Sequence, residues 1–217
     1  MMSLKNLTAK LDEGRQYRNI DVSSFERRAE DEQKIVEGYA TTFDAPYELF
    51  SMDGYTVMEQ IDKRAFDDTD MSDVIMQYDH EGRVFARQSN GTLELRSDDH
   101  GLHVRADLGG TEIGRQLFEE ISGGYTTKMS FGFRVGEDER TVTEDHETNN
   151  VTVLRTITKI SKLYDVSAVS LPANDGTSIS SRNFAEGVIE EVKQEIAKRE
   201  EKERQKKRIK ILTEVNK

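Results

Sequence analysis

The chain has 217 residues and a formal charge of -11, from 42 acidic against 31 basic side chains, and 35% of its residues are hydrophobic. It contains no cysteine, which excludes disulfides, cysteine-ligated metals and thiol nucleophiles. The acidic balance speaks against nucleic acid as the main partner, because phosphate contacts need clustered Lys and Arg. No apolar run approaches the roughly 18 residues of a membrane span, and the N-terminus lacks the apolar stretch of a signal peptide, so a soluble cytoplasmic protein is expected.

After an N-terminal tail (1–15), short apolar-alternating segments follow one another. "QYRNIDVSSFERR" (16–28), "KIVEGYATTF" (34–43) and "TVMEQI" (56–61) read as strands. "GTLELRS" and "GLHVRADL" flank "DDHG", with Leu102, Val104, Ala106 and Leu108 on one face, so Asp98–Gly101 predicts a hairpin turn. Helical spacing occupies 111–121, with Thr111 as N-cap and Gly123 and Gly124 as the stop. In "KMSFGFRV" (128–135), Met129, Phe131 and Phe133 alternate with Ser130, Gly132 and Arg134, the period of a half-buried strand. That pattern predicts a Ser130 hydroxyl outside the core, beside a position with no side chain. A polar loop (136–150) leads to "NVTVLRTITKI" and "LYDVSAVSLPA". Six to eight mostly antiparallel strands with one or two helices predict a mainly β (α+β) fold, closed or partly closed as a barrel.

The last 35 residues differ in composition. Residues 183–217 hold ten Lys and Arg against eight Asp and Glu, a charge of +2, which leaves 21 basic and 34 acidic residues, or -13, in 1–182. Val188, Val192 and Ile196 form a helical stripe that gives way to alternating charge from Ala197 to Arg208 and then to Ile209, Ile211, Leu212 and Val215. This predicts a charged C-terminal helix, either a solvated face or a detachable tail that docks on a partner.

Three constellations compete for the chemistry. A serine hydroxyl becomes nucleophilic when an imidazole removes its proton and a third group orients that imidazole. Ser130 is the candidate nucleophile. His80, in "VIMQYDHEGRVFARQ", has the most hydrophobic surroundings of the four histidines; His100 sits in a turn, His146 in the polar loop, and His103 on the outer face of its strand. Asp165 is an acid embedded in an apolar strand, which demands a partner. The second constellation, Asp98, Asp99, His100 and His103, has ligand types suited to zinc or manganese, although the same composition describes a hairpin turn. In the third, two glycines in "DLGGTEIGRQ" (107–116) precede a helix start, where backbone N–H groups attract anions; the lysine of a P-loop is missing. Spacing alone leaves these open.

Several segments in order resemble the tailed-phage prohead (capsid maturation) protease family, related in fold to the herpesvirus assemblins. They are "IVEGYATTFDAP", "MEQIDKRAF", "MQYDHEGRVFARQSNGTLELRSDDHGLHVRADL", "GRQLFEEISGGYTTKMSFGF" and "YDVSAVSLPAN", spanning about residues 17–175. The "DKRAF" segment departs from the family, which prefers a proline and a glycine there. The resemblance implies a serine endopeptidase on an assemblin-like antiparallel β-barrel (16–182), without a cofactor. It implies action inside the procapsid in the bacterial host cytoplasm, on the major capsid protein or its scaffold segment and on other copies of itself. It implies no membrane partner and no direct nucleic-acid role. Residue by residue, the family's histidine falls on His80 and its serine on Ser130. The assemblins use a second histidine as third member; the matching strand offers none, and Asp165 takes that place. Gly132 would leave room for substrate backbone, oxyanion donors would be N–H groups near the serine strand, and the tail would be an assembly or self-cleaved segment. The rival reading is a non-catalytic capsid assembly or scaffold protein on the same barrel.

Overall fold

Residues 2–4, 14–20, 26–27, 34–145, 147–169 and 179–215 are described in a computed structural model of the chain. Alternating sequence becomes strand through most of them. In chain order the elements are β1 (Met2–Leu4), β2 (Gln16–Ile20), β3 (Glu26–Arg27), β4 (Ile35–Thr42), β5 (Tyr47–Met52), β6 (Tyr55–Ile61), β7 (Ile75–Tyr78), β8 (Glu81–Arg87), β9 (Leu93–Ser97) and β10 (Gly101–Asp107). Helix α1 (Glu112–Ser122), two long strands, β11 (Lys128–Asp145) and β12 (Asn150–Val169), and helix α2 (Ile179–Val215) complete the series.

The β11–β12 hairpin organises the fold. Its strands run 18 and 20 residues, too long for one set of neighbours, so each end has its own. At one end β2 pairs with β11 across Met129–Phe133, and β7 pairs with β12 across Asp165–Ala168. At the other end β1 lies on β11, and β6, followed by β5, lies on β12. Register shifts between Gly132 and Asp138 separate the two ends, as expected where bulges bend and twist a long ribbon. A second sheet, in the order β3-β4-β10-β9, faces the first. The main core between them gathers Val104, Ala106 and Leu108 with Phe131, Phe133 and Val166, and α1 adds Leu117 and Phe118.

Two features correct the sequence reading. Among the described residues the sheets are not closed into a barrel, and although most strand pairs are antiparallel as expected, β12 pairs with both β6 and β7 in parallel. Alternation specifies which face of a strand is apolar but carries no information on partner or direction, so neither the open sheets nor the two parallel pairings could be read from it.

The expected helix in the tail forms over Ile179–Val215. Phe184, Ala185, Val188, Ile189 and Val192 are buried against Leu49, Val57, Val151 and Val153 of the sheet end remote from β2 and β7. Beyond this stripe, residues 197–211 are exposed. Residues 184–192 are therefore docked on the chain's own sheet, and the charged stretch 197–211 stands in solvent.

Candidate active site

Three neighbouring strands, β11, β12 and β7, place the predicted side chains. In the β11–β12 ladder Ser130 lies across from Ser167 and Gly132 across from Asp165, so these four positions share one face of the sheet. The parallel pairing sets Ile75 beside Asp165 and Ala168 beside Tyr78, which delivers the end of β7 to the same face. There a two-residue turn, Asp79–His80, joins β7 to β8. Both residues have positive φ, 48° and 60°, the conformation of a type I′ hairpin turn, where Asn and Gly are the usual occupants. A histidine held at positive φ is strained by roughly 1 kcal/mol or more. The Asp79 N–H donates to the Ala168 carbonyl at 2.9 Å and pins the turn over β12.

The three side chains converge. His80 Nε2 is 2.5 Å from Ser130 Oγ, and His80 Nδ1 is 2.5 Å from Asp165 Oδ2. Ser167 Oγ donates to the same carboxylate oxygen at 2.8 Å. With Nδ1–H donating to Asp165, Nε2 is left bare to accept from the serine hydroxyl. Ser130 and Asp165 are each 0% exposed and the His80 side chain is 14% exposed. Burial pushes the Asp165 carboxyl up, but hydrogen bonding and charge from His80, and then charge from Arg15, outweigh it and hold the group below the usual carboxylate range.

Two expectations fail here. Ser130 was expected on an open face; it is fully buried, because the polar face of β11 is covered by His80, Asp165 and the residues of β2. Gly132 was expected to leave room for substrate, yet a side chain there would collide with the Asp165 carboxylate, with Arg15 Nε 2.9 Å and Tyr17 Cε1 3.0 Å away. The glycine makes room for the site's own acid.

Sequence reasoning missed Arg15, Tyr17 and Arg18. Arg15 forms an ion pair with Asp165 Oδ1, and its guanidinium lies 5.1 Å and 4.8 Å from the ring centres of Tyr17 and Tyr164. Tyr17 packs on His80 with ring centres 4.3 Å apart. Arg18 reaches Glu59 through two contacts, 2.5 and 3.1 Å, and Glu59 also binds Arg155 at 2.9 Å and the Tyr47 hydroxyl at 2.5 Å. Glu59 is 0% exposed; burial raises its pKa, but Arg18 and Arg155 prevail and lower it to about 2.

The other two constellations are occupied by structure. Asp98 Oδ1 accepts from the His100 and Gly101 N–H groups, and its Oδ2 accepts from the Tyr39 hydroxyl; His100 and His103 both pack on the Tyr39 ring. No group of three metal-ligating side chains converges among the described residues. At the start of α1 the Thr111 hydroxyl accepts from the Gly114 N–H, and Asp107 accepts from Gly109. Those amides already have acceptors. His146 lies outside the described residues.

Comparison with known proteins decides the family. The sequence profile of the caudovirus prohead serine proteases matches residues 19–212, nearly the whole chain. The chain belongs to this family. It is therefore a phage capsid-maturation protease, and the procapsid is the place where such proteases act. No curated protein matches this prohead protease in sequence. Among solved structures, the capsid assembly protease gp21 of bacteriophage T4 is similar, with 11% identity over 73% of this chain and 98% of that one and a TM-score of 0.37. No helix of the prohead protease, among the described residues, is long and apolar enough to cross a membrane.

Proposed function

We propose that this prohead protease is a serine endopeptidase in which Ser130 is the nucleophile, His80 the general base and acid, and Asp165 the group that orients the imidazole. The observation that carries the reading is the unbroken chain from Ser130 Oγ to His80 Nε2 and from His80 Nδ1 to Asp165 Oδ2, each link 2.5 Å long. In the first half-reaction the Ser130 oxygen attacks the scissile carbonyl while His80 Nε2 takes its proton. The imidazolium, stabilised by the Asp165 carboxylate, then returns that proton to the leaving amine. Water repeats the sequence on the acyl-serine. Asp165 fixes the tautomer, and Ser167 fixes Asp165.

The substrate in this reading is the scaffold-like segment of the major capsid protein, or a separate scaffold, with the chain's own tail as a further target, all within a procapsid assembled in the bacterial cytoplasm. Residues 16–182 would form the protease domain and 183–217 the segment used in assembly or removed by self-cleavage. Coexpression with the cognate shell protein, followed by mass spectrometry, tests this: specific fragments are expected with the native chain and none with Ser130→Ala. Equal fragments from both would overturn it.

A further inference from the structure

A nucleophile must come within about 3 Å of a substrate carbonyl, yet Ser130 is wholly buried. One short segment touches all three side chains. Arg15 pairs with Asp165, the Tyr17 ring packs at a tilt on His80 with centres 4.3 Å apart, and the Arg18 carbonyl, 2.9 Å from Ser130 Oγ, is a second acceptor for its one hydroxyl proton. The same segment continues as β2 antiparallel to the serine strand, with Asn19 across from Ser130 and Tyr17 across from Gly132. Among the described residues, β11 is the only strand that β2 pairs with.

We propose that residues 14–20 are an autoinhibitory strap, occupying the edge of β11 on which an extended substrate peptide pairs, and that substrate enters when the strap withdraws. This inference rests on the serine-protease reading above. An extended peptide adding to an exposed strand edge is a common mode of recognition, in which main-chain hydrogen bonds supply affinity. Here that edge, Met129–Phe133, is taken by the chain itself. The strap also opposes the chemistry. Ser130 has one hydroxyl proton, and His80 Nε2 and the Arg18 carbonyl both stand within hydrogen-bond reach of its oxygen. While the proton points at Arg18, His80 has nothing to abstract. The Arg15 guanidinium adds positive charge beside the carboxylate that must stabilise the imidazolium, which disfavours proton transfer to His80. The Arg18 side chain, on the other face of β2, holds the strap through its two contacts with Glu59. The occupant that replaces the strap is an extended polypeptide segment, consistent with a scaffold strand.

A fluorophosphonate probe that labels reactive serines reads the state of the site. In the full chain, Arg15→Gln combined with Tyr17→Ala is expected to speed labelling of Ser130 at least tenfold, and excess synthetic peptide of residues 14–20 to slow it again. Ser130→Ala in each background identifies the labelled residue. A second arm keeps the native strap residues: the recognition sequence of an unrelated endopeptidase is placed within 21–25, the chain is cut, and dilution is expected to accelerate labelling. Labelling that is unchanged or slower with the strap weakened or released overturns the strap and leaves the protease reading intact. A Ser130 that stays unlabelled although hydrogen exchange shows the amides of 129–133 open overturns both.

Discussion

Gly132 and Asp165 face each other across the β11–β12 ladder, and the carboxylate occupies the space that a side chain at Gly132 would fill. The glycine in "MSFGF" is thus required by the site's acid, two residues along the same strand from the serine. Gly132→Ala is expected to displace Asp165 or bend β11, lowering stability by about 1–3 kcal/mol and proteolysis more than tenfold. Urea unfolding and the rate of substrate cleavage, measured together, separate the two effects.

Asp165→Asn keeps the shape and removes the charge. The amide favours the wrong imidazole tautomer, so cleavage is expected to fall by about 10³–10⁴-fold, with substrate affinity little changed. Ser167→Ala removes one of the hydrogen bonds to that carboxylate and is expected to give a milder loss, about tenfold. Steady-state kinetics on a peptide substrate check both. An Asn variant within threefold of the native rate would exclude Asp165 from the mechanism.

Glu59 makes the fold sensitive to acid. Its folded pKa of about 2 lies below its ordinary value of 4.5, so its contribution is fully present above pH 4.5 and is lost as pH falls toward 2. The size is on the order of 3 kcal/mol. Asp165, also lowered, acts with the same sign. Glu59→Gln leaves Arg18 and Arg155 buried without their shared carboxylate and is expected to cost about 3–5 kcal/mol at neutral pH, while flattening the acid limb. Urea midpoints from pH 7 down to pH 3 provide the measurement.

The two halves of α2 should behave differently. Phe184 is buried and packs beneath the Arg155 guanidinium, 4.2 Å from its ring centre, so Phe184→Ala is expected to destabilise by about 3–5 kcal/mol. Truncation after Lys202 removes the exposed residues 203–211 together with the end of the chain and keeps the Arg199–Glu144 ion pair. Its melting temperature is expected within about 2 °C of the native chain. Any effect of that truncation on capsid assembly then belongs to docking rather than folding.

Much of the site could be read from residue types. Asp165 stood out as an acid on an apolar strand, and the same signal was present, unused, at two other positions. Glu59 follows Val57 and precedes Ile61 on one buried face, and Arg155 lies between Val153 and Ile157 in the same way. A charge in register with an apolar face announces a buried partner, but their partners are 41 and 96 residues away along the chain, a distance over which periodicity says nothing. Arg15 and Arg18 were invisible for the complementary reason: arginine in a polar segment is ordinarily solvated. The helix at Glu112–Ser122 was legible because its Thr111 cap acts within three residues. The open sheets were not, because strand partners are settled by packing between segments far apart in sequence.

The central claim is that Ser130 and His80 act as one unit. Cleavage of co-assembled capsid protein by Ser130→Ala, His80→Ala and the double variant, followed by mass spectrometry over time, tests it most directly. Each single variant is expected to lose at least about 10³-fold, and the double variant to be no slower than the singles, because either loss already disables the unit. Losses that multiply in the double variant, or a Ser130→Ala protein that cleaves within tenfold of the native rate, would contradict it.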